Sequence, residues 1–240
     1  MIQTLSMPTF WQDTPVAKAP TLSRAAVDLV FKTKGRQLPA DHAWTLSQAV
    51  TQLLPWLKDE PAAGIHLIHG AQSGNGWQQP DDTGVIELSG RTRFVLRLPK
   101  ERVEDARALT NQTIEFDGHS VTLLEGRSRA LTPFGTVLAR HIRVTDTGTD
   151  ESDFLEEAAR GLNRLQIAPT KMLCGRLHRF TLPTGPMLTR SLLIADLSLK
   201  DSALVQHHGL GPDRLLGCGI FLPHKSIAAV HTPVDSDGES

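Results

Sequence analysis

Strand, helix, strand, strand, helix, strand: this order of apolar patterns runs from residue 25 to 124 and again from 136 to 222. It predicts an α+β fold of two tandem ferredoxin-like (RRM-like, βαββαβ) domains. Two further observations support it. Apolar residues at helical spacing alternate with short β-type runs, and the paired runs are joined by Gly- and Pro-bearing turns. The two runs share no visible sequence similarity.

Residues 1–23 carry scattered Pro and no sustained period, so a mobile N-terminal arm is expected there, with a first domain over 24–126. Ala25–Phe31 reads as a buried strand, and Lys32-Thr-Lys-Gly-Arg36 as a basic loop. Pro39 opens a helix whose stripe is Leu46, Ala49, Val50, Leu53, Leu54 and Leu57, with Pro55 and Pro61 ending it. Gly64–Ile68 is a short strand before a polar turn at Ser73-Gly-Asn-Gly76. Val85–Leu98 is a long strand or a bent pair, with Phe94, Leu96 and Leu98 on one face and Arg91, Arg93, Val95 and Arg97 on the other. Pro99 starts a second helix on Val103, Ala106 and Leu109, and Thr113–Leu124 turns back at Asp117-Gly118.

The second domain is expected over 127–227, with a flexible acidic tail at 228–240. Its parts are a strand at Thr136–Val144 and a helix at Glu151–Leu165 with Phe154, Ala158, Leu162 and Leu165 inward. A hairpin of Lys171–Phe180 and Met187–Leu197 turns at Pro183–Pro186. Ser198 and Asp201 form the capping box of a short helix, and Gly219–Leu222 is the last strand.

The 240 residues are 40% hydrophobic with a net charge of −1, which fits a globular chain with a substantial core and no global attraction to nucleic acid. The average hides a basic region, because Lys171 to Arg190 contains no acidic residue. Cys174 and Cys218 form no CxxC pair and read as reduced core residues. No apolar run approaches a membrane span and no leader is visible, so a cytoplasmic protein without a membrane partner is expected.

The most distinctive stretch is Gly209-Leu-Gly-Pro-Asp-Arg-Leu-Leu-Gly-Cys-Gly219, two Gly-x-Gly pairs around a basic–apolar segment. It lacks the third glycine of a dinucleotide fingerprint and the Gly-Lys-Ser/Thr of a Walker loop. Two readings fit its residues: a loop whose amides face a phosphate, or a tight helix-to-strand connection in which Gly209 ends the helix.

Among the histidines, His42 falls in the first turn of the first helix, where the positive helix end keeps an imidazole neutral and able to accept a proton. The alternative is a helix-start histidine satisfied by local backbone. His66 and His69 point to opposite faces of a strand and do not share a metal. His119, His141 and His178 form no constellation in the sequence. No metal or cofactor is expected. Arg91, Arg93, Arg140, Lys171, Arg176, Arg179, Arg190 and Arg214 with His224 and Lys225 form a set suited to gripping phosphates, though such charges are often only a solvated face. Aromatics are few, so recognition of backbone and shape fits better than base stacking.

The closing loop through Phe221-Leu-Pro223, with Leu38-Pro-Ala-Asp-His42, Ala139-Arg-His141, Leu173-Cys-Gly-Arg176 and Ala195-Asp-Leu-Ser198, resembles the RAMP superfamily of CRISPR-associated proteins. The resemblance is to its sixth Cas family, MYXAN subtype, over residues 25–227. It implies an endoribonuclease that cuts CRISPR repeat RNA, in a stem-loop, without metal. The 2′-hydroxyl attacks the adjacent phosphate and leaves a 2′,3′-cyclic phosphate and a 5′-hydroxyl. It also implies delivery of the product to other Cas proteins of an interference complex. His42 matches the histidine that members carry at the first helix, with Lys32, Lys34 or Arg36 as a neighbouring cation. Gly209, Gly211, Gly217 and Gly219 match the family's glycine-rich loop and are expected to contact RNA. Some members use a Tyr partner, and this chain has no tyrosine, which leaves its second catalytic group open. The mechanism requires Leu38–Ala43 to lie beside Gly209–Gly219.

Overall fold

A computed structural model describes residues 25–70, 84–116, 118–145, 150–169 and 171–224. Its elements are β1 (Ala26–Lys34), β2 (Gln37–Pro39), α1 (Ala43–Leu53), β3 (Gly64–Ile65), β4 (Val85–Glu87), β5 (Arg93–Pro99), α2 (Val103–Ala106), β6 (Thr113–Phe116) and β7 (His119–Ala130). β8 (Val137–Arg143), α3 (Glu151–Arg164), β9 (Lys171–Leu182), β10 (Gly185–Ala195), α4 (Leu199–His208) and β11 (Phe221–Pro223) follow. The expected arm, acidic tail and Ser73–Gly76 turn, with Lys225, lie outside the described residues.

The first sheet has the order β3-β5-β1-β7-β6 and the second β11-β8-β10-β9. All their pairings are antiparallel. Taking each half's four core strands in chain order, both sheets follow the ferredoxin-like arrangement, with β6 added to the first as an extra edge. The tandem fold is therefore as the element order requires. Strand alternation buries Val27, Leu29 and Phe31 of β1 with Leu46 and Val50 of α1 in one core. The second core gathers Val137 and Ala139 of β8, Phe154 and Leu162 of α3, and Leu204 and Val205 of α4.

Boundaries differ where backbone bonding overrides side-chain pattern. Pro55 ends α1 at Leu53 and opens a 3₁₀ turn, so Leu57 is buried from a separate element. The long Val85–Leu98 run is two strands, because β4 leaves the main sheet to pair with β2. β7 continues past residues 126 and 127, where the patterning divided the domains, because its tail pairs with β1 as far as Val27 and Ala130.

Polar side chains tie the halves together. Arg97, with no solvent exposure, gives Nε and Nη2 to the Asp28 carboxylate at 2.9 and 3.3 Å. Its Nη1 donates to the carbonyls of Gln206 and Phe221 at 3.0 and 2.7 Å. Arg97 is thus not on an exposed basic face, as strand alternation alone placed it. The first sheet's second face is covered at Arg97 by the other half. Burial alone would raise the Asp28 pKa, but hydrogen bonding from His66 and the Arg97 cation hold it well below the carboxylate range.

Candidate functional site

The start of α1 meets the second half at one corner. Ala43 packs with Phe180, Met187, Leu216 and Cys218, while Asp41 Oδ2 accepts the Thr181 amide at 2.8 Å. Leu38–Ala43 therefore does lie beside the glycine loop.

His42 is 2% exposed at the N-cap of α1. Its Nδ1–H lies 2.9 and 3.0 Å from the carbonyls of Pro39 and Ala40, and Nε2 accepts the Ile68 amide at 3.0 Å. The Nδ1–H tautomer follows, because Nε2 faces a donor and Nδ1 faces acceptors. The ring stands edge-on to Phe116. Burial pushes its pKa down, against the pull of the two carbonyls and Asp41. His42 is thus neutral, as the helix start required, but its accepting lone pair is held by Ile68.

Lys34 and Arg36 are exposed and line a different cavity, about 630 Å³, shared with His119, Ser120 and Thr122. His42 does not line it. This corrects the pairing of these cations with His42: β2 intervenes between them and carries the chain away from the basic loop.

The glycine loop resolves in favour of the tight connection. Gly209, Gly211, Gly217 and Gly219 all have positive φ, from +70 to +85°. The Gly209 amide donates to Val205, the Gly217 amide to Arg214 and the Gly219 amide to His141. Those three amides are turned to protein carbonyls and do not cradle a phosphate, which corrects that expectation. A Cβ on Gly209 would fall 1.8 Å from the Arg214 guanidinium, so the loop is folded around that cation.

Arg214, 9% exposed, turns inward and donates to the Ala63, Ala62 and His207 carbonyls at 3.2, 3.2 and 3.4 Å. Burial pushes its pKa down to about 10. It anchors the halves to each other instead of presenting a cation to RNA. Arg190 is also withdrawn, giving Nη1 to the Gly175 carbonyl at 2.8 Å and facing Glu151 of α3. Arg93 donates to the carbonyls of Gly90 and Thr92, beside exposed Arg91. Lys171 pairs with Asp196 at 2.7 Å, and Arg179 leaves β9 on the opposite face from neighbouring His178. Gly211 is exposed, and His224 is half-buried with its amide on Thr136.

Sequence reasoning missed the histidines that the fold brings to this corner. His141 of β8, 3% exposed, has Nδ1 3.0 Å from Thr189 Oγ1. Its ring packs 4.7 Å from Phe180 and 5.5 Å, T-shaped, from His178. Burial, then His178, Arg140 and His42, push its pKa to about 3. His69 follows Ile68 and is pushed well down by burial and by Arg140, His141, His42 and His66. The signal in the sequence was the Ala139-Arg-His141 match, which carried no partner until β9 was placed. Among the described residues no group of three His, Cys, Asp or Glu could hold a metal ion. No described helix is long and apolar enough to cross a membrane.

The arrangement offers neutral imidazoles beside guanidiniums, the groups that proton transfer at a phosphodiester needs. A family model described as Cas6 Crispr matches residues 27–226. The chain is 29% identical over 206 residues to the CRISPR-associated endonuclease Cas6 of Myxococcus xanthus, covering 86% of this chain and 85% of that protein. Two solved structures share the fold at low identity. A Cas6-related protein from Pyrococcus furiosus has TM-score 0.58, 9% identity and coverage of 82% and 97%. A protein described as a RAMP protein binding different RNA substrates has 0.56, 12%, and 82% and 98%. With the model matching nearly the whole described chain, this protein belongs to the Cas6 family.

Proposed function

We propose that the chain is a metal-independent endoribonuclease that cuts CRISPR precursor RNA within each repeat. The 2′-hydroxyl preceding the cut attacks phosphorus, giving a 2′,3′-cyclic phosphate and a 5′-hydroxyl. The protein retains the product and passes it to other Cas proteins. The observation that carries this reading is the corner between the halves, where Ala43 and His141 pack against the same Phe180 and His42, His69 and His141 are each held neutral chiefly by burial, with Arg140 beside the last two. Family membership and the endonuclease named in Myxococcus xanthus support it. His42 takes the 2′-hydroxyl proton once the Ile68 amide leaves Nε2, and Arg140 stabilises the charge on the phosphorane.

One observation favours a second reading. Both His42 nitrogens are engaged by backbone, as in an RNA-binding RAMP subunit where this histidine only holds the fold. Labelled repeat RNA incubated in EDTA with wild type and His42→Ala separates the two. The first reading expects one cut per repeat in wild type, a cyclic phosphate end, and a rate about 10²–10⁴-fold lower in the variant with binding kept. Binding without cutting by wild type establishes the second.

A further inference from the structure

On the face of the second sheet left open by α3 and α4, β8, β9 and β10 enclose a cavity of about 310 Å³. Leu138, Arg140, His141, Arg176, His178 and Ser191 line it with Gly175, and none of them is a carboxylate. A bulge shapes it. Between two pairings with β10, β9 takes three steps from Cys174 to Leu177 while β10 takes two from Arg190 to Leu192. A Cβ on Gly175 would stand 2.3 Å from Ser191 Oγ, so glycine here leaves that hydroxyl its place between the strands. Arg176 and His178 then share the cavity with Arg140 from β8.

His178 is half-buried, and His141 braces it from the floor while Thr189 holds His141. Phe180 packs against both His141 and Ala43, so the start of α1 that carries His42 approaches the His141 ring from one side while His178 stands against it from another. Two guanidiniums, an imidazole and a hydroxyl on one cavity wall suit one phosphodiester.

We propose that His178 is the general acid of the cleavage, protonating the departing 5′-oxygen of a phosphodiester held by Arg140 and Arg176. The inference rests on the nuclease reading above, and it supplies the second catalytic group that the absent tyrosine leaves open. The 2′-oxygen bonds to phosphorus as the bond from phosphorus to the 5′-oxygen breaks. The 2′-hydroxyl proton goes to His42, and the His178 imidazolium gives its proton to the 5′-oxygen and is reprotonated from solvent. Arg140 and Arg176 oppose the imidazolium, His141 is neutral, Thr189 and Ser191 are uncharged, and the phosphate anion favours it.

The test uses repeat RNA carrying either the natural 5′-oxygen or a bridging 5′-sulfur at the mapped cut. Sulfur leaves without a proton. For His178→Ala, single-turnover cleavage of the oxygen RNA falls about 10²–10³-fold while the sulfur RNA is cut within about threefold of wild type. Anisotropy shows RNA binding within about threefold, which also reports a folded variant. Arg176→Ala slows both substrates, as loss of a phosphate grip must. Equal losses on both substrates in His178→Ala, or no loss on oxygen RNA, overturn the proposal. Wild type that cuts neither substrate overturns the nuclease reading itself.

Discussion

Arg97 and His141 show how single side chains set the energetics here. Arg97 satisfies a buried carboxylate and two carbonyls at once. Arg97→Met leaves the buried Asp28 carboxylate with only His66 and the largely exposed Arg129 as partners and is expected to destabilise the protein by about 3 kcal/mol, read from urea denaturation. An exposed arginine would cost almost nothing, so a shift below about 1 kcal/mol contradicts this placement. His141 acts through pH. Its folded pKa lies below the ordinary 6.5, so the unfolded chain binds the proton first. Its stability contribution is complete above about pH 6.5 and is lost as pH falls through a window that runs down to about 3. Buried His42 and His66 shift in the same direction. Both add to the loss of stability as pH falls below about 6.5, well before Asp28 is protonated. Thermal melts from pH 7 to 5 should therefore fall steeply, and His141→Gln should flatten the slope. An unchanged slope would show that His141 takes up its proton in the folded state.

At the scale of elements, the glycine loop is a folding device. Gly219 has φ of +70°, and a Cβ there would stand 2.4 Å from the Leu210 carbonyl oxygen, which is backbone and cannot swing aside. At Gly211 the nearest atom is Ile142 Cγ2 at 3.9 Å, although φ is also positive. Gly219→Ala is expected to cost at least about 2–3 kcal/mol and Gly211→Ala about 1, measured by chemical denaturation. Comparable costs at the two sites would mean that φ, and not the close approach, governs this loop. The loop also positions the corner, since the Gly219 amide bonds the His141 carbonyl. Cys218 is sealed beneath it, its thiol pushed up to about 12 chiefly by burial, consistent with the packing role expected of both cysteines.

Across the whole molecule, net charge is −1, so attraction to RNA must come from where the cations stand. The cavity on the open sheet face holds Arg140 and Arg176 without a lining carboxylate. RNA affinity should fall linearly on a log–log plot against salt, and Arg140→Ala with Arg176→Ala should reduce the slope by about 1–2. A slope unchanged by the pair would move the RNA path elsewhere. Apolar periodicity was enough to specify both βαββαβ halves, because burying one face of each strand and helix is a local demand. The glycine loop and Leu38–His42 were enough to indicate the family. Cation roles were not legible. Arg97, Arg190 and Arg214 look like Arg176 in the chain, and only packing turned the first three inward to carboxylate and carbonyl partners. Nor was the histidine corner legible, since His42, His69, His141 and His178 come from four segments. What the chain alone determined was the period of its elements and the residue types its family uses. Tertiary structure decided which polar groups face solvent, because an unpaired buried charge is too costly and every such group is drawn to the nearest partner the fold provides.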